Sequence, residues 1–398
     1  MPLLPLVTLT LATFVIGSSE LMIQGLLPEI AQDLGVAIPT AGLLVTAYAL
    51  GVTFGSPIVA LLTIRMRRKA ALIALMAVFV AAHMACALAP GYGVLLAGRI
   101  GASFCHGAFV AVASVVAVGI VRERRRATAV ALVWAGFAAS NILGVPAGTM
   151  LGQAFGWRAT FWAITALGAA TLSAMAAFLP DAGRADNPIV ARELRAVGNP
   201  QVLLTLTLAA LILASCHSVF TFIAPLLRET TGVAPSSVPG YLLAFGIGGV
   251  IGMQIGGRFA DRNALAALIG ICAANVAVSL GLILAFQAPA PAFVGLFVWG
   301  FSLYFCAAPI QLRIVDAARE APSLASTLLQ SGFNAGIAAG PLFGGAALRA
   351  GMSYGDLPVI AAALALAALA AARWSASLDR CGSTSTFSKS SEHPETAS

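Results

Sequence analysis

Charge is what this chain has least of. Asp, Glu, Lys and Arg together make up 9% of its 398 residues, against 60% for the hydrophobic types, and that leaves too little polar surface to cover a water-soluble globule of this length. Acids are scarcer than bases, 15 against 22, and all but one fall in expected loops, at helix ends or in the C-terminal stretch. Long polar loops are missing too, so there is no room for a nucleotide-binding domain and an ATP-driven pump is excluded. There is no H-E-x-x-H pair, and no nucleophile is expected within reach of a base, so an intramembrane hydrolase has no chemistry to work with. The 6 cysteines show no C-x-x-C spacing. Cys86, Cys105, Cys216, Cys272 and Cys306 sit in different apolar runs and Cys381 near the C-terminus, so they read as small apolar residues, and neither a metal nor a cofactor is expected.

What the chain does have is apolar runs of membrane length. A bilayer core of about 30 Å needs roughly 20 helical residues. Twelve such runs are expected at 4 to 27, 40 to 63, 70 to 89, 93 to 120, 128 to 153, 157 to 179, 201 to 226, 238 to 258, 264 to 287, 292 to 312, 323 to 348 and 355 to 374. The fold class is therefore an all-α membrane protein with twelve transmembrane helices. The first run is expected to be a retained span, because Met1 to Pro5 carries no Lys or Arg and no small-residue cleavage site stands out after it.

Basic residues gather in alternate loops, at Arg65, Arg67, Arg68 and Lys69; Arg122, Arg124, Arg125 and Arg126; Arg184, Arg192 and Arg195; Arg258 and Arg262; and Arg313 and Arg319. The opposite side receives Arg158, Arg228 and Arg349, so both termini are expected in the cytoplasm of a bacterial-type inner membrane. This bias accounts for the formal charge of +7 without a nucleic-acid partner, since there is no soluble domain and little aromatic interleaving.

The chain also repeats itself. A shift of 197 places Pro28 on Pro225, Gly35 on Gly232 and Arg65 on Arg262, and a shift of 196 places Gly144 and Gly148 on Gly340 and Gly344. The expected organisation is a six-helix half at 1–180, a cytoplasmic linker at 181–200, a second half at 201–374 and a disordered cytoplasmic tail at 375–398.

Parallel six-span halves are the arrangement of the major facilitator transporters, and local motifs sharpen the likeness. Ala60 to Lys69, ALLTIRMRRK, resembles that superfamily's G-x-x-x-D-R-x-G-R-K, with Arg65, Arg68 and Lys69 in place but Ile64 where Asp usually stands. Gly257 to Arg262 repeats its first half and keeps Asp261 and Arg262. The fifth run contains Gly144, Pro146, Gly148 and Gly152 and resembles the antiporter motif of proton-coupled exporters; physically, glycines four apart form a stripe that admits a close neighbour. Together with GSSELMIQGLLPEIAQDLGV and GRIGASFCHGAF, these stretches resemble the arabinose-efflux-permease-like branch of the twelve-span drug:proton antiporters. The resemblance implies gating roles for the two basic loops and a cavity lined by helices 1, 4, 7 and 10.

Glu20 is the acid that does not fit a lipid environment. An ionised side chain at the membrane centre costs at least about 2.5 to 3.5 kcal/mol, so it needs a partner, a wet cavity or a function. Arg99, at similar depth on the fourth run, is the expected partner; Gln24 shares the Glu20 face, His106 shares the Arg99 face, and the 197 shift sets Glu20 on His217. Asn141 and Asn334 are further polar residues within runs, able to bond substrate or a neighbouring helix. Desolvation and a nearby arginine act on such an acid in opposite senses, which makes it a candidate switch between a proton and a substrate. The expected function is proton-coupled efflux of a small organic molecule by a monomer, with protons and the bilayer as its other partners; uptake on the same fold, or a non-transporting sensor, is the alternative.

Overall fold

Helix follows helix with short connections. The computed structural model describes residues 3–63, 65–181, 199–318 and 322–390, excepting the side chains at 57, 60, 61, 127, 322–327 and 380–390. Ile64, the linker beyond Asp181 up to residue 198, Arg319 and the last eight residues of the tail lie outside them.

The first half holds α1 (Leu3–Leu21, a 3-10 stretch Met22–Leu26, then Leu27–Asp33), α2 (Ile38–Leu50, a π-turn Gly51–Gly55, then Ser56–Thr63) and α3 (Arg68–Ala87). It continues with α4 (Tyr92–Gly119), α5 (Arg126–Ala139, a π-turn Ser140–Gly144, then Val145–Phe155) and α6 (Trp157–Phe178). The second half opens with α7 (Pro200–Phe220, then Ile223–Glu229). One helical stretch, Val238–Ala285, follows; it bends at Asn263, where φ is −161° and ψ 97°, and supplies two spans, α8 before the bend and α9 after it. Then come α10 (Pro289–Phe305, then Ala307–Ala317), α11 (Pro322–Arg349) and α12 (Leu357–Ser390). Among the described residues ten helices qualify as spans by length and apolarity with Pro235–Ala285 taken as one; dividing that one and adding α11 gives the expected twelve.

Two expectations at the ends of spans need correcting. The connection between α8 and α9 is not a loop: Asp261 and Arg262 continue the helix, and Asn263 caps the next one by accepting from Ala266 N at 2.9 Å, as a short polar side chain does at a helix start. The tail is not unstructured from residue 375, because α12 runs on to Ser390. Its first extra turn is anchored, with Asp379 paired to Arg313 at 2.7 Å and bonded by Gln201 at 2.9 Å.

The internal repeat is visible as matched breaks. Pro28 has no N–H to offer Gln24 O, and α1 passes through its 3-10 stretch just before it; Pro225 has none to offer Thr221 O, and α7 is interrupted at Thr221 and Phe222. The glycine stripes are matched as well. Gly144, Gly148 and Gly152 of α5 pack on Ser18, Met22 and Leu26 of α1, while Gly336, Gly340 and Gly344 of α11 pack on Ala210, His217 and Ser218 of α7. A Cβ on Gly340 would come within 2.6 Å of His217 Cβ, so the stripes let α1 and α7 lie close against their neighbours. Each stripe thus seats the helix that carries a candidate polar residue, Glu20 or His217.

Gly351-Met352-Ser353-Tyr354-Gly355 carries the letters of a G-x-S-x-G nucleophile elbow. No strand precedes it, and Ser353 Oγ donates to Asp356 Oδ2 at 2.7 Å in a capping box that starts a 3-10 turn. This is a helix cap, not a hydrolase site.

Candidate functional site

Arg99 and Glu20 do come together, but not as the expected ion pair. Arg99 is fully buried and points its guanidinium at the main chain of α1, with Nη1 donating to Ser19 O at 2.7 Å and Nη2 to Glu20 O at 3.2 Å. Its plane also lies 4.1 Å from the centre of the Tyr48 ring of α2, a cation–π contact worth about 0.5 to 2 kcal/mol. Arginine suits this position because its fork can span two carbonyls while its face stacks. The charge therefore clasps the backbone of α1, leaving the carboxylate of Glu20 to other neighbours.

Beneath the clasp runs a chain of hydrogen bonds with one direction. Arg99 Nη1 also lies 3.4 Å from Ser19 Oγ, which is 2.5 Å from His83 Nε2, and His83 Nδ1 is 2.9 Å from Phe79 O. A carbonyl only accepts and a guanidinium only donates, so Nδ1 carries the hydrogen and Nε2 receives the Ser19 hydroxyl. His83 is thereby fixed in one tautomer as a structural support.

The carboxylate of Glu20 faces His106. Its Oε2 lies 4.0 Å from His106 Nδ1, and its side chain keeps 12% of its surface accessible while His106 keeps 2%. Tyr48 Oη is 3.3 Å from the same Nδ1. On its other side the imidazole stacks on Phe137 of α5, with ring centres 5.2 Å apart and planes 18° apart. An acid, an imidazole and a phenol thus meet beside a guanidinium already engaged. Such a group can hold and release a proton or receive a cationic or hydrogen-bonding solute.

The other expected residues spread around this centre. Gln24 is buried in the 3-10 stretch, and neither end of its amide has a hydrogen-bond partner. His217 donates from Nδ1 towards Leu213 O at 3.0 Å and has a buried Nε2 without partner; no bond joins it to Glu20. Asn334 donates to Gln330 O at 3.0 Å and leaves Oδ1 unpartnered. Asn141 bonds Phe137 O at 3.0 Å and accepts from Tyr304 across the halves at 2.8 Å. Buried polar atoms without partners are rare in folded proteins.

The two loops expected to gate differ from each other. Arg67, the residue that replaces a motif glycine, pairs with Asp181 at 2.7 Å, and Lys69 donates to Ala176 O at 2.8 Å, so the altered first copy is tied to the end of α6. Arg65, Asp261 and Arg262 are exposed, and no ion pair involves them among the described residues. Arg68 opens α3.

Sequence reasoning missed the tie at the opposite end. Arg228 Nη2 of α7 pairs with Glu29 Oε1 of α1, immediately beyond the matched breaks at Pro28 and Pro225; that position was the available signal. Around it the Phe222 ring leaves no more than 3.0 Å to a Cβ on Gly42 of α2, and Thr46 donates to Ala338 O of α11 at 3.0 Å. The halves are closed together at the Glu29 end. Both side chains of the pair are about four-fifths buried, so a value near 1 kcal/mol is the right order, roughly a fivefold change in the open population. Glu29→Gln is expected to raise the maleimide labelling rate of a Thr46→Cys reporter by about that factor, and the reversed pair E29R/R228E to restore it. Unchanged labelling in the single variant would remove the tie from the closed state.

Comparison with known proteins fits this geometry. Residues 9–341 match the family model of the Major Facilitator Superfamily. The inner membrane transport protein YdhP of Escherichia coli K12 is 38% identical over 92% of this chain and 94% of its own length. A chloramphenicol resistance protein of Streptomyces lividans is 34% identical over 92% and 94%. Among solved structures, a bacterial homologue of the human lysosomal transporter Spinster, inward-facing and occupied, superposes with a TM-score of 0.77 at 17% identity, covering 93% of this chain and 96% of that one.

Proposed function

Since the chain belongs to the Major Facilitator Superfamily, we propose that this multi-pass membrane transporter expels a small organic molecule in exchange for protons by alternating access. The observation that carries the reading is the partly accessible Glu20 carboxylate within the first span, set against His106 and not consumed by Arg99. A carboxylate in that position binds either a proton or the substrate. The protonated form releases substrate on the far side, and deprotonation on the cytoplasmic side restores the site.

Closure at the Glu29 end, with both termini cytoplasmic, corresponds to a site reached from inside. In the export half-cycle the halves part at Glu29 and Arg228 and close over the loops that hold Arg65 to Lys69 and Asp261 to Arg262. Gln24, His217 and Asn334 supply neutral hydrogen-bonding groups to a drug, sugar or nucleoside-like substrate. A chloramphenicol resistance protein among the relatives supports the drug class and the outward direction. An inner-membrane relative supports the location.

The test is reconstitution. Proteoliposomes with an imposed pH gradient, assayed against a panel of drugs, nucleosides and sugars, should accumulate one class against its gradient and move protons the opposite way. Co-movement of substrate and protons would make the protein an uptake symporter. Saturable binding without flux would make it a sensor. Each net charge moved adds about 2.3 kcal/mol per 100 mV, so imposing a membrane potential at constant pH reads out whether the exchange is electrogenic.

A further inference from the structure

A hydroxyl from the second half reaches the neighbourhood of the titratable pair in the first. Tyr304, two residues before the break at Cys306 in α10, donates to Asn141 Oδ1 at 2.8 Å. Asn141 lies in the π-turn Ser140–Gly144 of α5. A π-turn lengthens the local bonding step. At its start Phe137 O takes Asn141 Nδ2 at 3.0 Å and Ser140 Oγ at 2.7 Å beside the main-chain N–H of Ser140. The amide of Asn141 is thus held at both ends, by its own helix and by the other half.

The ring of Phe137 transmits that placement. It stacks on His106 and has little room to move, because a Cβ on Gly17 of α1 would stand 2.7 Å from its Cδ1. On the far side α8 comes close through glycine, with Phe245 edge-on to the Tyr304 ring: a Cβ at Gly246 would stand 2.7 Å from Asn141 O, and one at Gly249 would stand 2.6 Å from the Tyr304 ring. The approach of α8 and α10 to the π-turn is therefore built into the sequence.

We infer that Tyr304 is a positioning residue for the Glu20 and His106 pair, its hydroxyl fixing from the second half the π-turn that seats Phe137 against His106. When the halves part at this level the bond is lost and His106 is released from its seat. This rests on the proposed exchange at Glu20. It adds the means by which the conformation of the halves alters proton binding at a site lying wholly in one of them.

The other groups around the pair are Arg99 of α4, which faces both Glu20 and His106, and Tyr48 of α2, which faces Glu20; Tyr304 is itself faced by Glu20, by Cys216 of α7 and by Cys306 of α10. Arg99 and His83 are tied to Ser19, Glu20 and Phe79 by bonds that do not involve Tyr304. Removing the Tyr304 hydroxyl leaves those ties in place.

The probe is the proton itself. Spin labels at Gln32→Cys and Ser236→Cys, both exposed at the Glu29 end, report opening of the full-length protein in liposomes as pH is varied from about 5 to 9. The native Cys86, Cys105, Cys216, Cys272 and Cys306 are buried. Tyr304→Phe is expected to move the midpoint of the pH-dependent opening by about half to one pH unit, the equivalent of one neutral hydrogen bond. Asn141→Leu should move it as well, and adding Y304F to N141L should move it no further.

A Y304F midpoint equal to that of the parent, in a background where Glu20→Gln abolishes the pH dependence, overturns the role of Tyr304 and leaves the proposed exchange standing. Additive shifts in the double variant overturn it too. Persistence of the pH dependence in Glu20→Gln instead overturns the exchange itself. Should Y304F not assemble, N141L alone carries the same expectation.

Discussion

Proteoliposomes containing Glu20→Gln are expected to show no substrate-driven proton movement while still passing substrate down its own gradient. Glutamine has the shape of the acid and keeps hydrogen-bonding capacity, but it has no proton to exchange. Helix α1 should survive the change, because Arg99 holds the carbonyls of Ser19 and Glu20, and these remain whatever the side chain at position 20. Expression and thermal stability should therefore stay near those of the parent. A pH electrode or an entrapped pH-sensitive dye reads the proton signal, and labelled substrate reads the downhill flux. Parental proton flux in the variant would remove Glu20 from the exchange and place the coupling elsewhere.

The second large effect is expected at Arg99, and it separates charge from shape. Arg99→Lys keeps the positive charge, yet a single ammonium cannot span both carbonyls and lie flat on Tyr48 at the same time. Losing one charge-assisted hydrogen bond costs about 1.5 to 3 kcal/mol, so the population in which α1 is correctly clasped should fall roughly tenfold or more. Coupled transport should fall with it. Arg99→Leu removes the buried charge but leaves both carbonyls bare, and should lower thermal stability as well as transport. Parental turnover in Arg99→Lys would show that the charge alone suffices and that the clasp seen at Ser19 and Glu20 is incidental.

Much of this architecture is legible in the chain because a membrane makes strong demands. Apolar runs must be long, basic residues collect in alternate loops, and Pro28 and Pro225 break α1 and α7 at matched points because neither can supply an N–H. The end of α8 was less legible, since Gly257 to Arg262 reads as a loop by composition while Asn263 makes the actual bend. At the centre, depth along α1 and α4 brought Glu20 and Arg99 to the same level. It could not say which atoms would meet, because a few tens of degrees of helix rotation decide whether a guanidinium finds a carboxylate or the carbonyls behind it. The same limit hid the placement of His106 against Glu20 and the bond from Tyr304 to Asn141. The cross-half tie between Glu29 and Arg228 depends on how the halves dock; the matched prolines mark the place, but not which side chains meet there.

The grip of Arg99 on main-chain oxygen also bears on how such a site can change over time. A residue whose helix is held through its backbone is relieved of any duty to hold that helix, so position 20 can be exchanged for Asp, Gln or His without untying α1 from α4. Glu20 is then the adjustable part of the centre and Arg99 the permanent one. A library that varies residue 20 alone should yield folded, inserted proteins differing in cargo and ion preference, whereas the same library at residue 99 should mostly yield chains that fail to assemble.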